Sequence, residues 1–309
     1  MNQIAGTETR AFAHVTAAIA TPFRPKDLSV DLDLLVRHAH WLMDNGCDGL
    51  VLFGTTGEAT SLSLAERTAM LERLLESAIE PRRVLVGTSA CAVADVVELT
   101  RRCAEFGCAG ALIMPPFFFK GVSIDGALRF YAEVFDACGG ALPPVYLYHI
   151  PQNSGVAVGP ELVGRLLERF GTKIRGYKDS SGQWPNTLDI LTRFPQLETF
   201  VGSEALLLSN LNAGGAGCIS ASVNVQPAAA RELYDNWRTA QAASLQEAIS
   251  DVRKTLERGG PIITSTKAAL AALHREPAWA LPRPPLDALP QSERSALESR
   301  LREHGLAGL

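Results

Sequence analysis

A lysine at the end of a short apolar run is the residue of this chain most suited to covalent chemistry. Residues 172–182 read TKIRGYKDSSG, so Lys178 follows strand-forming residues and precedes small polar ones. An amine held among apolar strands loses stability in its charged form, and a neutral amine is a nucleophile that can condense with a ketone. The competing interpretation is a lysine that extends from a strand end into water. Lysine is scarce here, and the lysines are Lys26, Lys120, Lys173, Lys178, Lys254 and Lys267.

Two threonines between glycines form a second candidate site in residues 54–58, which read GTTGE. The loop follows a predicted strand, and it offers backbone N–H groups and the hydroxyls of Thr55 and Thr56 to one point. Such a group of donors suits a small carboxylate. A tight turn that simply requires glycine is the competing interpretation.

Tyr148 is the third candidate, because it ends an aromatic-rich run at residues 145–148. A phenol at that place could carry a proton to or from a group bound at Lys178. Taken alone, the residue fits better the competing interpretation, a packed core residue whose hydroxyl reaches a polar edge.

Short β-forming runs alternate with longer helical runs along most of the chain. Strands are predicted at residues 15–19, 49–53, 84–87, 111–114, 145–148, 199–202 and 217–220, and in the run that ends at Lys178. Helices are predicted at residues 31–45, 92–106, 125–137, 160–170, 185–193 and 204–212, and two more begin at Ser63 and near residue 227. The strands lack polar alternation, which is typical of parallel strands buried on both faces. Eight such units predict an α/β fold, a (β/α)8 TIM barrel, rather than an open sheet, because no strand has the polar pattern of an edge.

The predicted barrel spans residues 1–240 and carries the active site at the carboxyl ends of its strands. The remainder, residues 241–309, has no predicted strand and is expected to form a C-terminal helical bundle with little sign of chemistry. Its predicted helices are 241–258, 261–275 and 291–304. We therefore expect Lys178, Tyr148 and the GTTGE loop to meet at one end of the barrel.

Composition limits the classes of partner. The chain has 309 residues, of which 47% are hydrophobic and 20% charged, and its formal net charge is -4. It can form a large core, but it has no basic excess that would attract nucleic acid or an anionic membrane. The apolar residues 11–20 are too few to span a bilayer. The six cysteines form no C-x-x-C pair, which favours reduced core residues and a cytoplasmic location.

Metal and nucleotide chemistry are not predicted. The six histidines are dispersed, and His38 and His40, two residues apart on a predicted helix, point to different faces. Neither the G-x-x-x-x-G-K-[ST] pattern nor the G-x-G-x-x-G pattern of phosphate-binding loops occurs. These observations disfavour a metal-dependent aldolase and a phosphate-binding nucleotide enzyme.

Three motifs agree in order and spacing with those of a known family. They are GTTGE at 54–58, Y-x-x-P-x-x-x-G at 148–155 and GYKD at 176–179. From residue 14 to about residue 225 the chain resembles the dihydrodipicolinate synthase/N-acetylneuraminate lyase family of Schiff-base aldolases, and the helical tail resembles it more weakly. The resemblance implies a (β/α)8 barrel that assembles as a homodimer or homotetramer. It also implies action on pyruvate or another 2-keto acid without a metal or an organic cofactor.

The same resemblance implies a role for each matching residue. Lys178 would form the imine with the keto carbon, and Tyr148 would carry protons. Thr55 would join Tyr148 in a hydrogen-bonded relay. The residues that would bind the pyruvate carboxylate or line the pocket are Thr55, Thr56, Gly57 and Ile219.

Two positions depart from the family pattern. Asn153 stands where the synthase branch has an arginine that holds the carboxylate of the second substrate. Phe118 stands where the family commonly supplies a tyrosine from the neighbouring subunit. We therefore expect Asn153 and Phe118 to serve an electrophile that is recognised through hydroxyl or apolar contacts. Phe117 and Phe119 are interpreted as packing residues at a subunit interface.

These observations predict a lyase that makes or cleaves a carbon–carbon bond in 2-keto-3-deoxy sugar acids or related hydroxylated keto acids. One alternative is a 4-hydroxy-tetrahydrodipicolinate synthase, which condenses pyruvate with aspartate semialdehyde. The other is a keto-acid sensor that forms the imine without turnover. Steady-state turnover with a panel of 2-keto acids distinguishes the sensor from an enzyme.

Overall fold

Eight parallel strands form a closed barrel in the computed structural model, which describes residue 12 and residues 14–306. The strands are β1 His14–Ala18, β2 Gly49–Leu52, β3 Val84–Gly87, β4 Gly110–Ile113, β5 Val145–His149, β6 Ile174–Asp179, β7 Glu198–Val201 and β8 Gly217–Ser220. Each strand pairs with its neighbours in chain order, and β8 pairs with β1 to close the sheet. The predicted (β/α)8 barrel is confirmed.

Helices alternate with the strands and continue after the last one. Those of the barrel region are α1 Leu32–Asp44, α2 Leu64–Glu76, α3 Val93–Glu105, α4 Ile124–Cys138, α5 Pro151–Ser154, α6 Pro160–Phe170, α7 Trp184–Arg193, α8 Leu207–Asn212 and α9 Pro227–Asn236. The helices that follow are α10 Ala242–Arg258, α11 Ile262–Leu273 and α12 Gln291–Glu303. The predicted bounds lie close to these. The exception is α5, a single turn after β5 that the sequence pattern did not indicate.

Local signals explain where the first two helices begin. The predicted capping box is present at α2, where Ser63 Oγ accepts from the Glu66 N–H and the Glu66 carboxylate accepts from the Ser63 N–H at 2.9 Å. At α1, the Asp31 carboxylate accepts from the Leu34 N–H at 3.0 Å. These caps satisfy N–H groups that a helix start leaves free, and so they fix the chain that enters each helix.

Side chains from the strands fill the barrel interior. Tyr146 and Tyr148 of β5 pack there together with Ile219 of β8. Gly176 of β6 faces the Tyr146 ring, and a Cβ on this glycine would lie 2.3 Å from the ring. Any larger residue would displace Tyr146, so glycine permits the close packing beneath Lys178.

A separate hydrophobic cluster joins the C-terminal helices to the barrel. Leu270 of α11 and Trp279 pack there against Ala20, Leu34 and Val225, which lie in the barrel region. The division into a barrel at 1–240 and a helical bundle at 241–309 stays a prediction. Residues 1–11, 13 and 307–309, which these ranges include, lie outside the described residues.

Two absences hold for residue 12 and residues 14–306. No helix in these ranges has both the length and the apolar character needed to cross a bilayer. Nor do the His, Cys, Asp and Glu side chains of these ranges form a group of three or more that could hold a metal ion.

Candidate active site

β5 and β6 place Tyr148 and Lys178 side by side at their carboxyl ends. The two residues are partners in the register of these strands, and only 4% and 3% of their respective surfaces are exposed. The Lys178 Nζ lies 4.2 Å from the centroid of the Tyr148 ring. The amine is therefore held next to a phenol in a mostly closed site, which suits imine formation with a ketone.

The loop after β2 brings Thr55 to the same point. Thr55 Oγ1 lies 3.2 Å from the Tyr148 hydroxyl oxygen, and either hydroxyl can donate to the other. Phe53 and Glu58 bracket the loop with φ angles of 58° and 53°, in the left-handed region. This conformation costs free energy in a residue with a side chain, and such strain is concentrated at functional sites.

The surroundings of the Tyr148 phenol favour loss of its proton. Burial raises the pKa of the phenol, but the positive charge of Lys178 and hydrogen bonding to Thr55, Ser180 and Lys178 outweigh this effect. The net pKa of Tyr148 is therefore lowered from the ordinary value of 10.0. A phenol with a lowered pKa releases and recovers a proton more readily near neutral pH, so Tyr148 is suited to proton transfer.

A cleft with two connected parts opens around these residues. The lysine lobe, which contains Lys178, has a volume of about 560 Å³, and Thr56, Asn153 and Ile219 line it. The apolar lobe adjoins it at Thr55, Tyr148 and Asn153 and has a volume of about 330 Å³. The apolar side chains of this second lobe include Phe53, Leu112, Met114, Phe117, Ile263 and Leu286. The structure thus brings most of the predicted site residues to one cavity.

Two backbone N–H groups of the GTTGE loop form a turn, and two others are free to bind a ligand. The N–H groups of Gly57 and Glu58 donate to the carbonyls of Gly54 and Thr55, each at 3.1 Å. No backbone hydrogen bond of the described residues uses the N–H of Thr55 or Thr56. Both threonines line the lysine lobe, so their N–H groups and hydroxyls are the donors available to a carboxylate.

Gly57 and Phe118, which were also predicted to contact substrate, do not line the cleft of their own chain, and their contact with substrate stays a prediction. Gly57 belongs to the turn: its carbonyl accepts from Thr21 Oγ1 at 2.7 Å, and a Cβ would lie 2.9 Å from the Ile19 carbonyl oxygen. Gly57 therefore shapes the loop and does not line the cleft. Phe118 does not line the cleft of its own chain either, since 74% of its surface is exposed to solvent.

The C-terminal helices contribute residues that the sequence did not suggest. Arg253 and Glu257 of α10 and Ile262 and Ile263 of α11 line the lysine lobe. Two of these side chains, Arg253 and Glu257, are charged and border the candidate site. These residues are far from Lys178 in sequence and belong to no motif. The one signal that could have indicated them is the pattern of polar and apolar residues along their helices.

A buried ion pair ties α11 to the end of the GTTGE loop. The Lys267 Nζ lies 2.5 Å from Glu58 Oε1, and both side chains are fully buried. Lys267 also donates to the Thr21 carbonyl at 2.9 Å, and the Arg283 N–H donates to Glu58 Oε2 at 2.8 Å. Burial lowers the pKa of Lys267 to about 8, although Glu58 opposes this shift. The position of the loop therefore depends on the C-terminal part of the chain.

Known proteins of one family are similar to this chain along nearly all of its length. The model of the dihydrodipicolinate synthetase family matches residues 11–304. An uncharacterized DapA-like lyase of Chloroflexus aurantiacus is 35% identical over 288 residues, which cover 92% of this chain and 94% of that protein. The 4-hydroxy-tetrahydrodipicolinate synthase of Parasynechococcus marenigrum is 31% identical over 303 residues, which cover 96% of this chain and 97% of that protein. The crystal structure of dihydrodipicolinate synthase from Agrobacterium tumefaciens superimposes with a TM-score of 0.88 at 31% identity, covering 95% of this chain and 99% of that one.

The family match includes the barrel and the C-terminal helices alike. Residues 11–304 contain all eight strands and the helices from α10 to α12. The similarity to both relatives likewise extends over almost the whole of each protein and is not confined to one motif. The chain therefore belongs to the dihydrodipicolinate synthetase family of lyases.

Proposed function

We propose that this protein is a Schiff-base aldolase in which Lys178 forms an imine with the keto carbon of pyruvate or another 2-keto acid. The convergence of three groups supports this proposal: the Lys178 Nζ is 4.2 Å from the Tyr148 ring centroid, and the Tyr148 hydroxyl is 3.2 Å from Thr55 Oγ1. A nucleophile, a proton carrier and a carboxylate site thus surround the space for one small keto acid.

Imine formation requires a nucleophile and a proton donor. The neutral amine of Lys178 adds to the keto carbon and gives a carbinolamine. Tyr148 donates the proton with which the hydroxyl group leaves as water, so a protonated imine and a phenolate remain. The N–H groups and hydroxyls of Thr55 and Thr56 hold the carboxylate and keep the keto carbon against the amine.

Bond cleavage follows from the same arrangement. The protonated imine accepts the electron pair of the C3–C4 bond as this bond breaks, while the Tyr148 phenolate takes the proton of the C4 hydroxyl. C4 leaves as an aldehyde. The remaining enamine receives a proton at C3, and hydrolysis of the imine releases pyruvate and restores Lys178. The synthetic direction runs through the same steps in reverse.

The polar groups near Lys178 favour a hydroxylated substrate over one with a second carboxylate. Asn153 borders both lobes and carries no charge. The Lys120 Nζ donates to the backbone carbonyls of Phe117 and Asn153 at 2.6 and 3.2 Å, so this cation is already occupied. Arg253, which lines the lysine lobe, already pairs with Glu257 at 2.7 Å. A carboxylate without a free cation in a closing pocket is strongly unfavourable. We therefore favour 2-keto-3-deoxy sugar acids or related hydroxylated keto acids as substrates, in an assembly of two or four subunits.

Two other functions use the same imine. A 4-hydroxy-tetrahydrodipicolinate synthase would condense pyruvate with aspartate semialdehyde, and the Parasynechococcus relative has that name. A keto-acid sensor would form the imine and stop there. The two experiments that follow distinguish these functions from the proposed one.

Borohydride trapping tests the imine. Pyruvate and borohydride should label Lys178, and peptide mapping identifies the site. Lys178→Arg should fold normally but lose both the label and the turnover, because a guanidinium stays protonated and cannot add to a ketone. No labelled lysine, or a label on Lys254 or Lys267, would refute the assignment.

Substrate competition tests the proposed class. On one preparation, kcat/KM for cleavage of a 2-keto-3-deoxy sugar acid should exceed kcat/KM for condensation with aspartate semialdehyde. Asn153→Arg should shift this preference toward aspartate semialdehyde, because it adds a cation at the cleft. Comparable values in the unmodified protein would support the synthase, and labelling without turnover of any keto acid would support the sensor.

A further inference from the structure

Arg253 and Glu257 lie one turn apart on α10 and form an ion pair on the wall of the lysine lobe. The Arg253 Nε donates to Glu257 Oε1 at 2.7 Å. Only 13% of the Arg253 side chain is exposed, whereas 51% of the Glu257 side chain is. The arginine is therefore a mostly enclosed part of the wall, and the glutamate lies toward solvent.

Residues at the end of β8 and in the segments that follow β8 and β7 hold Arg253 in place. Its Nη1 donates to the hydroxyls of Ser220 and Ser222 at 3.2 and 3.3 Å and lies 3.9 Å from Oε2 of the buried Glu204. Gln226 donates to the other oxygen of Glu204 at 2.8 Å. These contacts use Nε and Nη1 of the guanidinium. In the described part of the chain, Nη2 has no hydrogen-bond partner.

The ion pair thus offers a donor beside an acceptor. Nη2 of Arg253 can donate, and the second carboxylate oxygen of Glu257, which has no partner among the described residues, can accept. A hydroxyl group both donates and accepts, so a chain of neighbouring hydroxyls matches both members of the pair. A carboxylate only accepts, and it would also meet negative charge because Arg253 is already flanked by Glu204 and Glu257.

We propose that Arg253 and Glu257 bind the hydroxyl groups at the distal end of the substrate and so set the preference for polyhydroxylated keto acids. This inference rests on the proposed aldolase function, because it takes the keto group to be bound at Lys178. With the keto end fixed there, the rest of the substrate extends along the lysine lobe, which α10 borders. A shorter substrate would leave the donor and the acceptor without partners, which is how a polar site rejects an analogue that lacks hydroxyls.

The test compares a long substrate with a short one. We would measure kcat/KM for cleavage of 2-keto-3-deoxygluconate and of 4-hydroxy-2-oxopentanoate, which has no hydroxyl beyond C4. In Glu257→Ala the ratio of the first value to the second should fall by about 10- to 100-fold, because a charged acceptor is lost. Glu257→Gln, which keeps a neutral acceptor, should recover part of the ratio. Glu247→Ala removes an exposed glutamate of the same helix that does not line the cleft, and it should leave the ratio unchanged.

Aspartate semialdehyde supplies a readout that a purely structural role would not move. Relative to 2-keto-3-deoxygluconate, its kcat/KM should rise in Glu257→Ala, because one negative charge leaves the wall. If Glu257→Ala lowered kcat/KM equally for every substrate, this inference would be overturned while the aldolase function would stand. The same holds if the wild-type protein cleaves the short and the long keto acid with equal kcat/KM. If pyruvate and borohydride label no lysine of the wild-type protein, the proposed function fails and the inference fails with it.

Discussion

At the scale of single residues, Tyr148 is suited to proton transfer because of its neighbours. Burial raises the pKa of the phenol, and the charge of Lys178 together with three hydrogen-bonding side chains lowers it more. The positive charge of Lys178 favours the phenolate form of Tyr148 over the neutral phenol. Lys178, the nucleophile of the proposed reaction, thus also lowers the pKa of Tyr148, the proposed proton carrier.

Tyr148→Phe should lower kcat by about 10²–10⁴-fold and change KM little, because the phenol moves protons while the carboxylate site stays intact.

The lowered pKa of Tyr148 also predicts a pH dependence of the activity. Activity that needs the protonated phenol is present below the pKa of Tyr148 and is lost as the pH rises through it, so the alkaline limb of kcat/KM should lie below pH 10.0. Steady-state kinetics across this pH range measure both effects, and the limb should be absent from the variant. A variant with nearly normal kcat and reduced stability would show that Tyr148 serves packing only.

At the scale of elements, α11 holds the GTTGE loop through the buried pair Glu58–Lys267. Glu58 ends the loop in a left-handed conformation, with a φ angle of 53°. Its carboxylate contacts the Lys267 Nζ and the Arg283 N–H, and both of these residues lie C-terminal to the barrel strands. A strained conformation persists only where its surroundings determine it, so this contact fixes the loop on which Thr55 and Thr56 stand.

Lys267→Met should reduce the free energy of unfolding by about 3–5 kcal/mol, because it leaves the Glu58 carboxylate buried without its cation. It should also raise KM for pyruvate, since the loop loses its anchor. The double variant Glu58→Gln/Lys267→Met should be more stable than the single one, because no buried charge remains unpaired. Urea denaturation and steady-state kinetics measure these effects.

Lys254→Met is the matched control for this prediction. Lys254 pairs with Asp251 on the surface of α10, where water screens the interaction, so its loss should leave stability nearly unchanged. If the Lys267 and Lys254 variants were equally stable, the buried pair would not anchor the loop.

At the scale of the whole molecule, two exposed phenylalanines, Phe118 and Phe119, form an apolar surface next in sequence to Phe117, which lines the cleft. Three of the five large hydrophobic side chains that the described part exposes lie within residues 118–124. Phe118 and Phe119 are 74% and 71% exposed, and their rings contact each other edge to face with centroids 5.4 Å apart. Concentrated apolar surface of this kind is typical of protein interfaces. The surface therefore supports the predicted homodimer or homotetramer.

Phe118→Asp should shift the protein toward a smaller assembly, because a charge would then have to be desolvated when two such surfaces meet. Sedimentation velocity over a range of protein concentrations measures this shift. Leu188→Asp is the control, since Leu188 of α7 is also an exposed hydrophobic residue, 42% exposed, but lies outside residues 118–124. If both variants assembled like the wild-type protein, the exposed phenylalanines would not form the interface.

The sequence by itself determined the barrel and the centre of the candidate site. Strands and helices follow from the order of apolar and polar residues over a few positions, and the capping box at Ser63 lies within a single turn. Lys178, Tyr148 and Thr55 could be named in advance because each lies near the carboxyl end of a strand or just after it, and parallel strands of a closed barrel bring such ends together.

Only the tertiary structure decided which distant residues complete the site. Arg253, Glu257 and Lys267 lie on helices with no recognisable motif, and they reach the cleft or its loop because the C-terminal helices pack against the barrel. Their contacts depend on the geometry of the whole fold and not on neighbours in sequence. The same geometry places Gly57 in the turn of its loop, where its N–H donates to the Gly54 carbonyl, and leaves Phe118 outside the cleft of its own chain. A side chain's type and position in a motif do not specify its direction, since the packing of its surroundings does.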